Sequence, residues 1–353
     1  MRIAFDTSAR YTSRAGIARY VTELAAAIRD LKNPEIDFRE LAWHVTNYEY
    51  KQPLRAAKTG FRELVWAPFL AKKQLRRWNA NLLHSTSGYF VSPPHRCHNV
   101  ATLHDLALLR FPSRFRTWHR SSGLGRLRQL KHVDRIICVS RFTADEAMSI
   151  LDVPASKIDV VHNGVSKNSD NAKTLPSGIP SDFFLFVGSL EPGKNLSLLR
   201  EGYALAGQRR QALPALVIVG ARWQSVASEG SPPDSWIYLG HQSDAILATL
   251  YQRAIALVFP SLYEGFGFPI LEAQVRGCPV ICSPVASMPE IAGEGARFVD
   301  LVATEYLTVM SEVATNQDLR QSLVEAGYEN ARRFSWRKCA EQTASVYFDA
   351  LRK

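Results

Sequence analysis

Glu264 and Glu272 enclose the stretch Glu264-Gly-Phe-Gly-Phe-Pro-Ile-Leu-Glu272, and a lysine, Lys194, closes a second glycine-bearing stretch, Gly188-Ser-Leu-Glu-Pro-Gly-Lys194. The first stretch reads as loop into helix. Ile255 to Phe259 is a short apolar run, Pro260-Ser261 ends it, and Pro269 stands where a helix tolerates a residue without an N–H. A helix from Ile270 to about Gly277 then places Glu264 at the loop's entrance and Glu272 in the first turn. Gly265 and Gly267 let the backbone approach a ligand closely, with Phe266 and Phe268 between and after them. Amides of a first helical turn, here those of Ile270 and Leu271, attract anions. An anion site flanked by two hydroxyl-binding carboxylates suits a nucleoside diphosphate-sugar, whose diphosphate lies between a ribose diol and a sugar diol. A plainer alternative is a turn whose glutamates only favour the helix dipole.

The second stretch has the G-x-x-x-x-G-K spacing of a P-loop. It lacks the following Ser or Thr that would hold magnesium, and no later strand clearly ends in the acid an ATPase needs. Two histidines follow apolar runs, His84 in Leu82-Leu-His-Ser-Thr-Ser and His104 in Val100-Ala-Thr-Leu-His-Asp-Leu-Ala. Strand ends of that kind are where open α/β sheets bind ligands. A lone histidine is more often structural, and His84 fits that reading.

The elements that must position these residues alternate. Arg2 to Phe5 reads as a strand, Asp6 to Arg14 as a polar loop, and Ala15 to Ile28 as a helix by its apolar spacing. Only Gly16 stands where a dinucleotide fingerprint would need three glycines, which argues against a Rossmann dehydrogenase. A basic helix over Phe115–His132 precedes the strand Arg135–Val139, Ser140 or Thr143 caps the next helix, and Ile158 to Val165 closes in an Asn163-Gly164 turn. Lys167 to Asp182 is rich in Ser, Asn, Pro and Gly and reads as a linker. Phe183–Val187 restarts the pattern. Trp236–Gly240 ends near His241, with Ser243 capping a further helix, and a last amphipathic helix runs from Trp336 to Leu351.

The motif of two glutamates around Gly-Phe-Gly-Phe-Pro after a buried strand resembles the signature of the family 4 retaining glycosyltransferases of GT-B architecture. The resemblance extends over nearly the whole chain, through Leu-His104-Asp-Leu, Glu-Pro-Gly-Lys194 and Pro279-Val-Ile-Cys-Ser-Pro. It implies an α/β fold of two Rossmann-like, doubly wound parallel-sheet domains facing a cleft: an acceptor domain at 1–170, a nucleotide-sugar domain at 180–335, and a C-terminal helix at 336–353 crossing back to the first domain.

By the same resemblance Glu264 and His104 are the catalytic candidates, Glu264 holding the sugar and His104 facing the donor's anomeric carbon. Glu272 would hold the ribose, Lys194 with the Ile270 and Leu271 amides the diphosphate, and His241 the nucleobase side. Gly16, Gly265, Phe266, Gly267 and Phe268 complete the donor set. The family usually has an arginine beside the lysine or after the strand's glycine. Gly193 and Ser189 stand there, leaving Arg222 as the candidate second cation. No Asp-x-Asp cluster lies near a strand end, so neither metal nor cofactor is expected.

The implied reaction moves a sugar, mannose from GDP-mannose or else a sugar from UDP, to a saccharide or lipid-linked acceptor in polysaccharide or lipopolysaccharide assembly. The alternatives are an epimerase of the same architecture and an inactive ligand-binding relative. Composition sets outer bounds. The chain has 353 residues, 46% hydrophobic and 22% charged, enough for two ordinary cores, and no apolar run approaches the ~20 residues of a spanning helix. Met1-Arg-Ile-Ala-Phe reads as a strand rather than a signal peptide, which implies a cytoplasmic protein. Five cysteines without a C-x-x-C pair read as small core residues. Of the net charge of +10, residues 1–175 carry 28 Lys and Arg against 15 Asp and Glu, so the surplus lies wholly in the first half. No nucleic-acid reading module accompanies it. The basic and aromatic stretch Lys51–Arg77 instead suggests peripheral contact with an anionic membrane at the inner leaflet, with Phe61, Trp66 and Phe69 entering the headgroups and Pro68 kinking or splitting any helix there.

Overall fold

A computed structural model describes residues 1–12, 16–45, 54–87, 93–112, 117–167, 174–221 and 233–352. Arg222 and Lys51 lie outside these residues, as do residues 168–173 of the expected linker. The chain divides into two compact units, Met1–Gly164 with Ser335–Lys353, and Val165–Phe334.

In the first unit the strands are β1 (Arg2–Asp6), β2 (Asp37–Leu41), β3 (Leu82–Ser85), β4 (His98–Leu103), β5 (Arg135–Cys138) and β6 (Ile158–Val160). Its helices are α1 (Ala9–Thr12), α2 (Gly16–Asp30), α3 (Leu54–Phe61), α4 (Lys72–Trp78), α5 (Ala107–Arg110), α6 (Thr117–Gln129) and α7 (Arg141–Leu151), with a π-helical segment, Arg62–Ala71, joining α3 to α4. The sheet is parallel in the order β2-β1-β3-β4-β5-β6. The strand order therefore reverses between β1 and β3.

The second unit holds β7 (Phe183–Val187), α8 (Leu196–Gln208), β8 (Ala215–Val219), β9 (Trp236–Gly240), α9 (Asp244–Arg253), β10 (Ala256–Phe259), α10 (Phe268–Gln274), β11 (Val280–Cys282), α11 (Met288–Ala292), β12 (Arg297–Phe298), α12 (Ala303–Thr315) and α13 (Gln317–Ala331). Its parallel sheet runs β12-β11-β10-β7-β8-β9, reversing between β7 and β10. Both sheets are thus doubly wound.

Why these strands sit where they do follows from composition. Phe-Phe-Leu-Phe-Val in β7 and Ala-Leu-Val-Phe in β10 are apolar on both faces, as a central parallel strand covered by helices requires. Accordingly one core lies on each face of this sheet, with Phe184, Phe186 and Val258 on one side and Phe183, Leu185 and Phe259 on the other. Hydroxyl caps start three helices. Ser140 accepts the Thr143 amide at α7, Ser243 the Ile246 amide at α9, and Ser335 the Lys338 amide at the C-terminal helix, α14 (Trp336–Leu351). α14 is counted in the first unit, where Tyr347 reaches His84.

Several expectations need correction. A short helix, α1, interrupts the polar loop after β1. α10 ends at Gln274, because Gly277 turns left-handed at φ 70° and its amide bonds back to the Gln274 carbonyl. Pro68 does not split its helix. The wider π turn carries it, and the chain stays helical from Leu54 to Trp78. Trp66 is buried against Trp43, Leu75 and Leu83 in the first unit's core, so it is an anchor and not a headgroup residue. Arg62 is buried with it, its guanidinium 5.4 Å from the Trp43 ring.

Candidate active site

In open α/β sheets ligands bind beyond the carboxyl ends of strands at the point where strand order reverses. In the second unit that point lies between β7 and β10, and the two loops leaving it carry Lys194 and Glu264. The loops are tied together by the Leu262 amide, which donates to the Gly193 carbonyl at 2.9 Å. Across them the Lys194 ammonium forms an ion pair with the Glu264 carboxylate. Both side chains are nearly buried, at 16% and 14% exposure, so little water screens the pair. Lys194 Nζ also stands 5.5 Å from the centroid of Phe259. These two predicted residues, 70 positions apart, are therefore in contact.

Two serines after β11 hold the Glu264 loop from its other side. Ser283 Oγ donates to the Ser261 carbonyl at 2.7 Å, and Ser287 Oγ lies 2.9 Å from the Glu264 carbonyl and 3.1 Å from that of Phe266. Gly267 adopts φ 96°, a conformation open to glycine, and turns the chain into α10. On the β7 side the close approach is at Gly220, where a Cβ would come within 1.8 Å of the Gly188 carbonyl oxygen. Only glycine permits the two strand ends to converge there.

The remaining candidates separate. Glu272 is buried in α10, and the Tyr251 hydroxyl donates to its Oε2 at 3.0 Å. Phe266 is buried, edge-on to Phe268 and Phe334. Ile270 and Leu271 bury their side chains completely. The Ile270 amide donates to the Gly267 carbonyl at 3.1 Å, so it is already engaged within the first turn of α10. His241 is exposed just past β9, at the sheet edge.

In the first unit Gly16 is the first residue of α2. His104 follows β4, where Nε2 faces the Thr86 carbonyl at 2.8 Å. A carbonyl only accepts, so Nε2 carries the proton and Nδ1 is the unprotonated nitrogen. Burial pushes the His104 pKa below the usual histidine value, against the opposing pull of the Thr86 carbonyl and Asp105. Its ring meets Tyr20 edge-on at 4.8 Å. Beneath it runs a buried chain of hydroxyls: Tyr20 OH to Thr102 Oγ1 at 2.8 Å, Thr102 Oγ1 to His84 Nε2 at 2.7 Å, and His84 Nδ1 to Tyr347 OH at 2.7 Å. Burial, with the nearby His104, holds His84 down at about 3. His84 is thus a neutral core residue.

Sequence reasoning did not single out Tyr251, Ser283 or Ser287. The serines lie just past β11, so the strand-end rule that pointed to His104 would also have found them. Tyr251 sits mid-helix and carries no such signal.

Comparison with known proteins accords with this geometry. Residues 14–168 match the description Glycosyltransferase Family 4, and residues 170–330 match Glycosyl transferases group 1. The chain is 30% identical over 298 residues to O-antigen chain mannosyltransferase B of Escherichia coli, covering 77% of this chain and 75% of that protein. It is 24% identical over 262 residues to the serotype-specific mannosyltransferase WbdA of Escherichia coli, 69% of this chain but 32% of that longer protein. In fold it is similar to sucrose-phosphate synthase from Thermosynechococcus elongatus, at a TM-score of 0.74 with 19% identity, covering 99% of this chain and 98% of the other. The chain belongs to glycosyltransferase family 4, a mannosyltransferase-like glycosyltransferase built from the two Rossmann-like domains of the GT-B architecture.

Proposed function

We propose that this glycosyltransferase moves mannose from GDP-mannose to a saccharide or lipid-linked acceptor in polysaccharide or lipopolysaccharide assembly, retaining the anomeric configuration and requiring no metal. The observation that carries the reading is the Lys194–Glu264 pair at the reversal point of the second sheet. The relative at 30% identity is an O-antigen mannosyltransferase, which favours transfer over epimerisation and mannose over other sugars.

In this reading the Lys194 ammonium and the Glu264 carboxylate neutralise each other. An incoming diphosphate takes Lys194, which stabilises the charge that grows on the leaving group in a site with little water. The Leu271 amide, in the first turn of α10, adds to that stabilisation. Glu264, released, accepts hydrogen bonds from sugar hydroxyls, and Glu272 accepts those of the ribose beside Tyr251. His104 meets the sugar as a neutral ring, which preserves the positive charge of an oxocarbenium-like transition state for the departing phosphate to balance. His241, Gly16 and the backbone at Gly265 and Gly267 line the donor. The enzyme works in the cytoplasm at the inner face of the membrane, where a lipid-linked acceptor is presented.

A thermal-shift panel of GDP, UDP, ADP and their sugars tests the donor. GDP and GDP-mannose raise the melting temperature most on this reading. A response to UDP compounds alone overturns the nucleobase assignment, and no response to any nucleoside diphosphate overturns the donor site.

A further inference from the structure

Glu272 stands on a stretch of α10 that has no solvent side. Ile270, Leu271, Glu272, Ala273 and Gln274 are all buried, Glu272 at 6% exposure. A carboxylate in such a place costs free energy unless hydrogen bonds replace its water, whereas an apolar side chain there would not. The donor it meets comes from the neighbouring helix. Tyr251 lies near the end of α9, and its ring, 1% exposed, is packed in the core with Leu257, Phe259, Ile270 and Ala273. From that core the hydroxyl donates to Glu272 Oε2 at 3.0 Å. Arg276 ties the two residues together, its Nη1 donating to the Glu272 carbonyl at 3.1 Å and its guanidinium lying 5.8 Å from the centre of the Tyr251 ring.

Position matters because a glutamate does not orient its own carboxylate. The last torsion of its side chain turns about an sp³–sp² bond and is broad, so the plane of the two oxygens swings unless a partner selects one orientation. A tyrosine ring held in a core is such a partner, since its hydroxyl oxygen is carried at a fixed point by a rigid ring. Bonded to Oε2, it sets the carboxylate plane and with it the direction from which further hydrogen bonds are accepted. A vicinal diol demands that direction, because its two hydroxyls stand at a fixed separation.

We infer that Tyr251 is a positioning residue that sets nucleotide specificity: its hydroxyl fixes the plane of the Glu272 carboxylate, so that the enzyme takes a ribonucleoside diphosphate and discriminates against one lacking the 2′ and 3′ hydroxyls. The inference rests on the proposed role of Glu272 at the ribose, and Tyr251 acts through that residue alone.

Calorimetric titration of the whole chain with GDP and with 2′,3′-dideoxy-GDP tests it, in the wild type, Y251F, E272A and the double variant Y251F/E272A. The wild type is expected to bind GDP about tenfold or more tighter than the dideoxy compound, because a buried acceptor is left unmatched by the latter. Y251F keeps the ring and its packing. It should weaken GDP about five- to tenfold, the scale of one hydrogen bond to a charged group, and leave the dideoxy compound unchanged, which also shows that the variant is folded. In the E272A background the same change should alter GDP affinity by less than about twofold, since its effect passes through the carboxylate. With GDP-mannose as donor, Y251F should raise KM and keep kcat within about twofold, the pattern of lost uniform binding. Equal weakening of both nucleotides by Y251F, the same loss with and without Glu272, or GDP affinity indifferent to Y251F overturns the inference and leaves the donor reading standing. A wild type that binds the two nucleotides alike, or neither, sinks the reading of Glu272 itself and the inference with it, before any variant is compared.

Discussion

Lys194 and Glu264 are paired with each other in the structure, and on the proposed reading this makes their substitutions unequal. Lys194→Ala removes the cation proposed for the diphosphate, so calorimetry should find nucleoside diphosphate affinity reduced far more than nucleoside affinity; equal losses would mean a structural lysine. Glu264→Ala should abolish transfer yet leave nucleoside diphosphate binding intact or tighter, since it frees Lys194. Glu272→Ala should instead weaken the nucleotide by ~1–3 kcal/mol, the scale of a charge-assisted hydrogen bond whose partner stays buried. If both glutamate variants weaken nucleotide binding alike, the division of roles is wrong. The sequence pointed to these residues through a glycine-rich turn between two carboxylates and through the family resemblance of that motif. Their pairing was not legible, because it depends on a contact between loops 70 positions apart. Nor could the sequence say that the Ile270 amide is spent on the Gly267 carbonyl, or that Phe266 is buried.

Loops that carry chemistry need support from elements that do not. Ser287, at the start of α11, is completely buried with its hydroxyl against two carbonyls of the Glu264 loop. Ser287→Ala should cost about 1 kcal/mol of stability, the usual net worth of a buried hydrogen bond, and should lower the turnover of the transfer reaction. Thermal unfolding and steady-state kinetics measure both, and a variant unchanged in each would show that the loop holds its own shape. Runs such as Phe183–Val187 announced their strands because a parallel strand covered on both faces has no polar side to confuse the pattern. The segment through Pro68 is not split, for a physical reason. Proline ends an α-helix by removing a donor and crowding the preceding turn, and a π turn relaxes that crowding in a way no residue pattern declares.

The whole chain shows its doubly wound character in the alternation of apolar runs and amphipathic segments, while the buried network that braces the first unit was invisible, since Tyr20, His84, Thr102 and Tyr347 are up to 263 positions apart in contact. That network has a pH signature. The folded pKa of His84 is about 3, below its ordinary 6.5, so below pH 6.5 the unfolded chain binds a proton that the folded chain refuses. Stability is therefore full above about 6.5 and is lost as pH falls toward 3, by up to roughly 1.4 kcal/mol per pH unit from this residue, with the depressed His104 acting in the same direction. Urea unfolding at pH 7 and pH 5 should show the loss, and His84→Gln should show less of it; equal slopes would remove His84 from the account. The central claim, retaining mannosyl transfer from GDP-mannose, is tested most directly by following the anomeric proton of the product by NMR during reaction with GDP-mannose and a mannoside acceptor. The account predicts an α-mannoside whose formation matches GDP release and stops in Glu264→Ala. A β-linked product, or GDP-mannose consumed to free mannose with the acceptor untouched, would contradict it.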